Sequence, residues 1–200
     1  MKIVHTEILI ERGDVPLSRQ YRAVLADVKA AIASVTWPPD SKRFTLNNQE
    51  RQSNGIKPIK KQCMETLERR GWECEQRLVL TRTSRPGNVD AVKRLKDGRL
   101  FAIEWETGNI SSSHRALNKM AVGMIDGIIA GGVLIVPSRA MYQWLTDRIG
   151  NYDELVPYFP VWKGICSVVD GVLSIVVVEH DALSHDVTRI PKGTDGRANR

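Results

Sequence analysis

The chain has 200 residues, 42% of them hydrophobic and 26% charged, with a formal net charge of +6. That length suits one compact domain with its own core, and no apolar run is long enough to span a membrane. Three cysteines (Cys63, Cys74, Cys166) with no CxxC pair and no Cys/His cluster exclude a disulfide framework and a structural zinc, so a cytoplasmic protein is expected.

In chain order, residues 3–10 read as a strand and not as a signal peptide, because Glu7 breaks the apolar run and no small-residue cleavage site follows. Residues 16–35 place Leu17, Tyr21, Val24, Leu25, Val28, Ile32 and Val35 at helical spacing, and Pro38-Pro39 stops the helix. The polar stretch 39–54 is expected to be a mobile loop, or one ordered by a ligand. A second helix is expected from Pro58, a good first-turn residue, to Gly71, a good C-terminal cap. "WECEQRLVLTRT" reads as a strand, and residues 88–107 as a hairpin turning at Asp97-Gly98. A helix over 111–128, a buried strand "GVLIVP", a helix over 139–148 and a strand in "DGVLSIVVVEHD" follow. Residues 1–191 form one domain in this reading, with a polar, frayed tail over 192–200. The order predicts an α/β sandwich with a mixed central sheet flanked by helices. Trp144, Tyr158 and Trp162 are expected in the core. His180 and His185 are read as surface groups, since their five-residue spacing fits no strong metal motif.

Charge is unevenly distributed. Residues 42–99 carry 15 Lys/Arg against 7 Asp/Glu, and the rest 14 against 16. A basic segment beside a carboxylate cluster suits a polyanion that is held and then worked on; a solubilising surface is the plainer explanation. The basic segment, Lys60 and Lys61 included, is expected to supply mostly non-specific affinity.

The carboxylates are the sharper signal. "FAIEWET" puts Glu104 and Glu106 on one face of a strand, where like charges repel unless something positive lies between them. Asp90 lies on the other arm of the hairpin, and Glu73 and Glu75 share a face of the preceding strand. Three strands can therefore bring carboxylates to one sheet edge. A hard divalent cation needs oxygen ligands, and Mg²⁺ typically takes one or two carboxylates plus water and substrate oxygens. Phosphodiester hydrolysis needs what such a site offers. Solvated charges on an exposed strand face are the alternative.

"NVDAV", "AIEWET", the helix ending "ERRGW", Glu75 shortly after that Trp, "GNISSSHRALNKM" and "VLIVPSRAMYQWLTDRIGNYDEL" together resemble the PD-(D/E)XK nucleases, over roughly residues 56–181. The variant is the one in which the usual Lys gives way to an acidic or amide residue, as in restriction endonucleases of the BamHI, BglII and BstYI type. That resemblance implies a homodimeric, Mg²⁺-dependent type II enzyme that cuts double-stranded DNA at a short palindrome, with GATC as the candidate core. It implies that Asp90 and Glu104 bind metal, helped by the Trp105 carbonyl, that Glu106 positions or deprotonates the water, and that Glu75 is an outer acidic ligand or its helper. A longer hairpin and a divergent N-terminus depart from the family pattern and leave the dimer contacts open.

For DNA contact, Ser111, Ser112, His114 and Lys119 offer groups that bond phosphate oxygens, although serines there also suit a helix cap. In residues 139–151, Tyr142, Leu145 and Ile149 form a buried stripe that leaves Arg139, Asp147, Arg148 and Asn151 outside. Arg pairs with guanine and Asn with adenine in the major groove. Two other functions fit the same residues: a DNA-binding protein with a degenerate nuclease fold, and a structure-specific repair nuclease. Three clustered carboxylates argue against the first. A DNA methyltransferase encoded nearby separates restriction from repair.

Overall fold

The computed structural model describes residues 1–79, 87–146 and 149–192. Strand β1 (Lys2–Arg12) leads through a short 3-10 turn to helix α1 (Arg19–Ala33), which Ser18 caps by accepting the Tyr21 N–H. Strand β2 (Thr45–Asn47), helix α2 (Lys57–Arg69) and strands β3 (Glu73–Leu78), β4 (Gly87–Arg94) and β5 (Leu100–Trp105) follow. Then come α3 (Ile110–Ile125), β6 (Ile129–Pro137), the short helices α4 (Arg139–Tyr142), α5 (Tyr152–Leu155) and α6 (Phe159–Gly164), and strands β7 (Gly171–Glu179) and β8 (Ala182–Ser184).

Six strands form one mixed sheet in the order β1-β7-β6-β5-β4-β3. The β7–β6 and β6–β5 pairs are parallel and the outer pairs antiparallel. Alternation along β5 decides the layers. Phe101, Ile103 and Trp105 join the core under α1 and α2, while Leu100 and Ala102 join the core under α3 and α6. The α/β sandwich read from the sequence is therefore the observed one. At Gly132 an added Cβ would lie 2.3 Å from the Met120 sulfur, so glycine lets α3 approach the sheet closely and seats its neighbour Lys119 at the end of β5. Among the described residues no helix is long and apolar enough to cross a membrane.

Three expectations need correction. Residues 39–54 are not a loose loop: β2 pairs in parallel with β8, and Asn54 is fully buried. Its amide donates to the Asn47 and Trp144 carbonyls (2.8 and 2.9 Å) and its Oδ1 accepts from Ile190 N. The partners lie far along the chain, so no local pattern announces them. The helix expected over 139–148 ends at Tyr142, because Asn54 N takes the Trp144 carbonyl and Thr146 N donates to the Asn54 carbonyl. Leu145 and Ile149 are buried as their spacing implies, but Tyr142 only partly. Tyr158, expected in the core, is 48% exposed, whereas Trp162 is buried and Trp144 partly so. The helical run 152–164 had no counterpart in the sequence reading. The end of the strand read from "WECEQRLVLTRT" and almost all of the expected tail lie outside the described residues.

Candidate active site

Ala91 pairs with Ile103 across the β4–β5 hairpin, so Asp90 and Glu104 meet at the next rung. There the ladder stops being backbone to backbone, since the Asp90 Oδ2 accepts the Trp105 N–H at 2.7 Å. On the other side of β4, the pairs Cys74–Ala91 and Gln76–Val89 bracket Glu75 and Asp90. Glu75, Asp90 and Glu104 thus form one row across three adjacent strands. Glu75 has φ +51, a left-handed value that a residue with a side chain seldom adopts.

Two helices on opposite faces of the sheet each deliver an ammonium to this row. From α2, Lys60 Nζ lies 2.6 Å from Asp90 Oδ1 and 2.9 Å from Glu75 Oε1. From α3, Lys119 bonds Glu104 Oε1 and donates to the Asn88 carbonyl at 2.8 Å. Burial by itself would lower the Lys60 pKa, but Asp90 and Glu75 prevail and raise it. Burial, and then the Asp90 charge, push Glu104 upward, with Lys119 pulling it back. This answers the sequence puzzle of clustered like charges: what lies between them is lysine.

Glu106 sits behind the row and is 3% exposed. Its Oε1 accepts the Gly108 N–H at 2.6 Å and its Oε2 accepts the Ser113 hydroxyl. Burial raises its pKa to about 7, against the opposing pull of Ser113 and Gly108. Close packing builds this pocket. A Cβ at Gly108 would meet the Ser112 Oγ at 2.8 Å, and one at Gly150 the Ser113 Oγ at 2.8 Å, while Gly150 N donates to the Gly108 carbonyl.

The row opens into a cleft of about 450 Å³, to which Asp90, Glu104 and Glu106 contribute together with Ser112, Arg115 and Lys119 from α3. Among the described residues, no three His, Cys, Asp or Glu side chains form a ready cage for a metal. The donor chemistry nevertheless fits a hard divalent cation that takes two carboxylates and fills its other positions with water and phosphate oxygens. Four carboxylates (Glu75, Asp90, Glu104, Glu106) face two ammoniums (Lys60, Lys119), a formal balance of −2 among these groups.

The structure thus brings together Glu75, Asp90, Glu104, Trp105, Glu106, Ser112 and Lys119. Ser111 is exposed on the first turn of α3. His114 is turned away, packed edge-on against Tyr158 (centroids 4.4 Å apart) and beside Trp162. Arg139 is exposed, with its guanidinium 4.8 Å over the Tyr142 ring. Asn151, read as outward-facing, is fully buried and donates to Glu154 at 2.9 Å, because it opens α5 from inside the fold. Asp147 and Arg148 lie outside the described residues. Two site residues are misjudged from sequence: Lys60 is read only as a non-specific DNA contact, and Ser113 is missed. Lys60 occupies the buried stripe of α2, among Ile56, Ile59, Cys63, Met64 and Leu67, and that one charge in an apolar stripe was the available signal. Ser113, fully buried, carried no signal beyond its place in a run of three serines.

The family model for restriction endonuclease BamHI matches residues 1–197. The chain is 50% identical over 200 residues, all of both chains, to the type II restriction enzyme OkrAI of Oceanobacter kriegii. It is 36% identical over 180 residues to the type II restriction enzyme BamHI of Bacillus amyloliquefaciens, covering 87% of this chain and 82% of that one. Among solved structures, the BglII endonuclease bound to a DNA 16-mer superposes with a TM-score of 0.62 at 10% identity, over 90% of this chain and 79% of the other. At that identity the likeness is one of fold.

Proposed function

From the premise that this chain belongs to the BamHI family of restriction endonucleases and is a type II restriction endonuclease, we propose that it is a homodimer that cuts double-stranded DNA at a short palindrome with Mg²⁺. The carrying observation is the convergence of Asp90 and Glu104 at one rung, with Glu106 locked behind them. In this reading residues 1–191 are one nuclease domain, acting in the cytoplasm beside a cognate methyltransferase.

Asp90 and Glu104, helped by the Trp105 carbonyl, hold the cation, which when bound supplies positive charge to the scissile phosphate and acidifies water. Glu106 holds the attacking water and takes its proton. Ser113 and the Gly108 N–H fix its carboxylate, and a pKa near 7 suits a base working at neutral pH. Lys119, Arg115 and Ser112 line the cleft at positions suited to phosphate oxygens. Base reading is assigned to the 139–151 segment without Asn151, so to Arg139, Asp147 and Arg148. The GATC-centred core rests on family resemblance alone.

A twofold-symmetric target calls for two copies. Val122 and Ile125 on α3 and Val161 and Tyr158 beside them are exposed, and the Trp162 indole N–H joins the two elements by donating to Asn118. This apolar face is the proposed dimer surface. Incubating the protein with phage DNA and Mg²⁺ should give discrete bands, and none without the cation. A smear, or no cutting at any divalent cation, overturns the reading. Val122→Asp with Ile125→Asp should sediment as a monomer.

A further inference from the structure

We infer that Lys60 is a positioning residue that makes cation loading wait for DNA: in the metal-free enzyme its ammonium holds the Asp90 oxygen that the divalent cation needs. The inference rests on the reading that Asp90 is a metal ligand.

The two Asp90 oxygens are engaged differently. Oδ2 accepts a backbone N–H from Trp105, which cannot leave without breaking the end of the hairpin. Oδ1 faces Lys60 Nζ at 2.6 Å. A Mg²⁺ ion bonds oxygen at about 2.0–2.1 Å, so a dication on Oδ1 would lie within a few ångströms of the ammonium. Two cations at that separation repel strongly in a partly buried site. One of them must go, and only the lysine has a flexible four-carbon stem and somewhere to go.

Its alternative place is already occupied in part. Glu75 Oε1 is 2.9 Å from the same nitrogen, and its side chain is 60% exposed to solvent. Lys60 can therefore release Asp90, keep Glu75 and gain a phosphate oxygen. Without DNA that third partner is missing, and the ammonium stays on Asp90. Glu75 then serves as the resting partner of Lys60 and not as a ligand of the cation.

Lys119 holds Glu104 from the other face of the sheet, but the lysine next to Lys60 does not share its place. Lys61 is 77% exposed and pairs with Glu65 one turn on. Lys60 is 18% exposed and stands in the apolar stripe of α2, so its position is dictated by helix packing. Removing a positive charge beside Asp90 raises cation affinity whatever its role, and a purely structural ion pair would give the same gain with and without DNA. A gate predicts a gain confined to the DNA-free protein.

The test is calorimetric titration of Ca²⁺ into the full-length protein, alone and with a cognate duplex, for wild type, Lys60→Met, Lys60→Arg and Asp90→Asn. Lys60→Met should bind Ca²⁺ roughly tenfold or more tightly than wild type without DNA, and DNA should then improve its affinity far less than it does for wild type. Lys60→Arg should keep the weak DNA-free binding. Equal or weaker DNA-free affinity in Lys60→Met, or a gain of the same size with DNA bound, overturns the inference. If Lys60→Met does not fold, as judged by circular dichroism, Lys60→Gln carries the same expectation and the same refutation. Asp90→Asn separates the two layers: wild-type Ca²⁺ affinity there would mean that Asp90 is no ligand, whatever Lys60 does.

Discussion

The carboxylates at the end of β4 and β5 and the side chains of Asn47 and Asn54 are polar groups at least partly buried, yet their partners differ in kind. Asn47 and Asn54 bond only backbone: His185, Val187 and Gln49 for the first, Asn47, Trp144 and Ile190 for the second. Neutral amides bonded to fixed carbonyls and N–H groups have no reason to move, and they clamp three distant segments together. Asp90 and Glu104 instead bond long cationic side chains that can be exchanged for another cation. One region is built to stay and the other to be rearranged. Glu106 stands between the two, a carboxylate held by a buried hydroxyl and a backbone N–H.

The largest effect should come from the exchangeable region. Asp90→Ala or Glu104→Ala should lower the cleavage rate by at least about a thousandfold, since cation stabilisation of the transition state amounts to several kcal/mol. The fold should survive, as circular dichroism will report, although Asp90→Ala leaves the Trp105 N–H without its acceptor and should lower stability. Substantial cutting by either folded variant would show that the row is not catalytic.

The clamp should fail the other way. Asn54→Ala strands the Asn47 carbonyl and the Ile190 N–H, at roughly 1–3 kcal/mol for each buried group left unpaired, and takes one of two donors from the Trp144 carbonyl. Denaturant unfolding should show a loss of several kcal/mol, and cleavage by the remaining folded fraction should stay near normal per molecule. A stability change under about 0.5 kcal/mol, the size of an ordinary surface substitution, would remove the clamp from the account.

Glu106→Gln tests the intermediate case by pH. The folded pKa of about 7 lies above the ordinary 4.5. Below about 4.5 the group is protonated in both folded and unfolded chains and its ionisation has no effect. Between 4.5 and 7 the unfolded chain ionises first, so stability falls with rising pH, and above 7 the full cost of up to about 3 kcal/mol is present. In metal-free thermal melts, Glu106→Gln should therefore gain on wild type as pH rises through that window and level off above 7, while cutting is lost. A pH-independent difference would contradict the buried, charge-penalised placement of Glu106.

The smallest expected effect is at Arg139, exposed and stacked on Tyr142. Because it is assigned to base reading, Arg139→Ala should lose roughly 1–3 kcal/mol of discrimination, weakening the cognate duplex in Ca²⁺ more than a scrambled one. Equal losses on both duplexes, with a salt slope lower by about one unit, would make it a phosphate contact instead.

Local chemistry determined a large part of this molecule. Period-2 and period-3.6 patterns, Ser18, Pro58, Gly71 and the Asp97-Gly98 turn specify β1, α1, α2, the hairpin and α3, because each depends on neighbours within a few residues. The hairpin in turn brings Asp90 opposite Glu104, so the heart of the candidate site was legible from sequence. Other features depended on partners that only the packing of separate elements brings together. Asn54 turned an apparent loop into a clamp and cut short the helix expected after Arg139. The opening of α5 from inside the fold buried Asn151, which had looked like a base reader. Lys60 reached the carboxylates only because α2 packs its apolar stripe on the face opposite α3. Periodicity says which side of an element is buried; it does not say what that side meets, and charge pairing across a sheet is decided there.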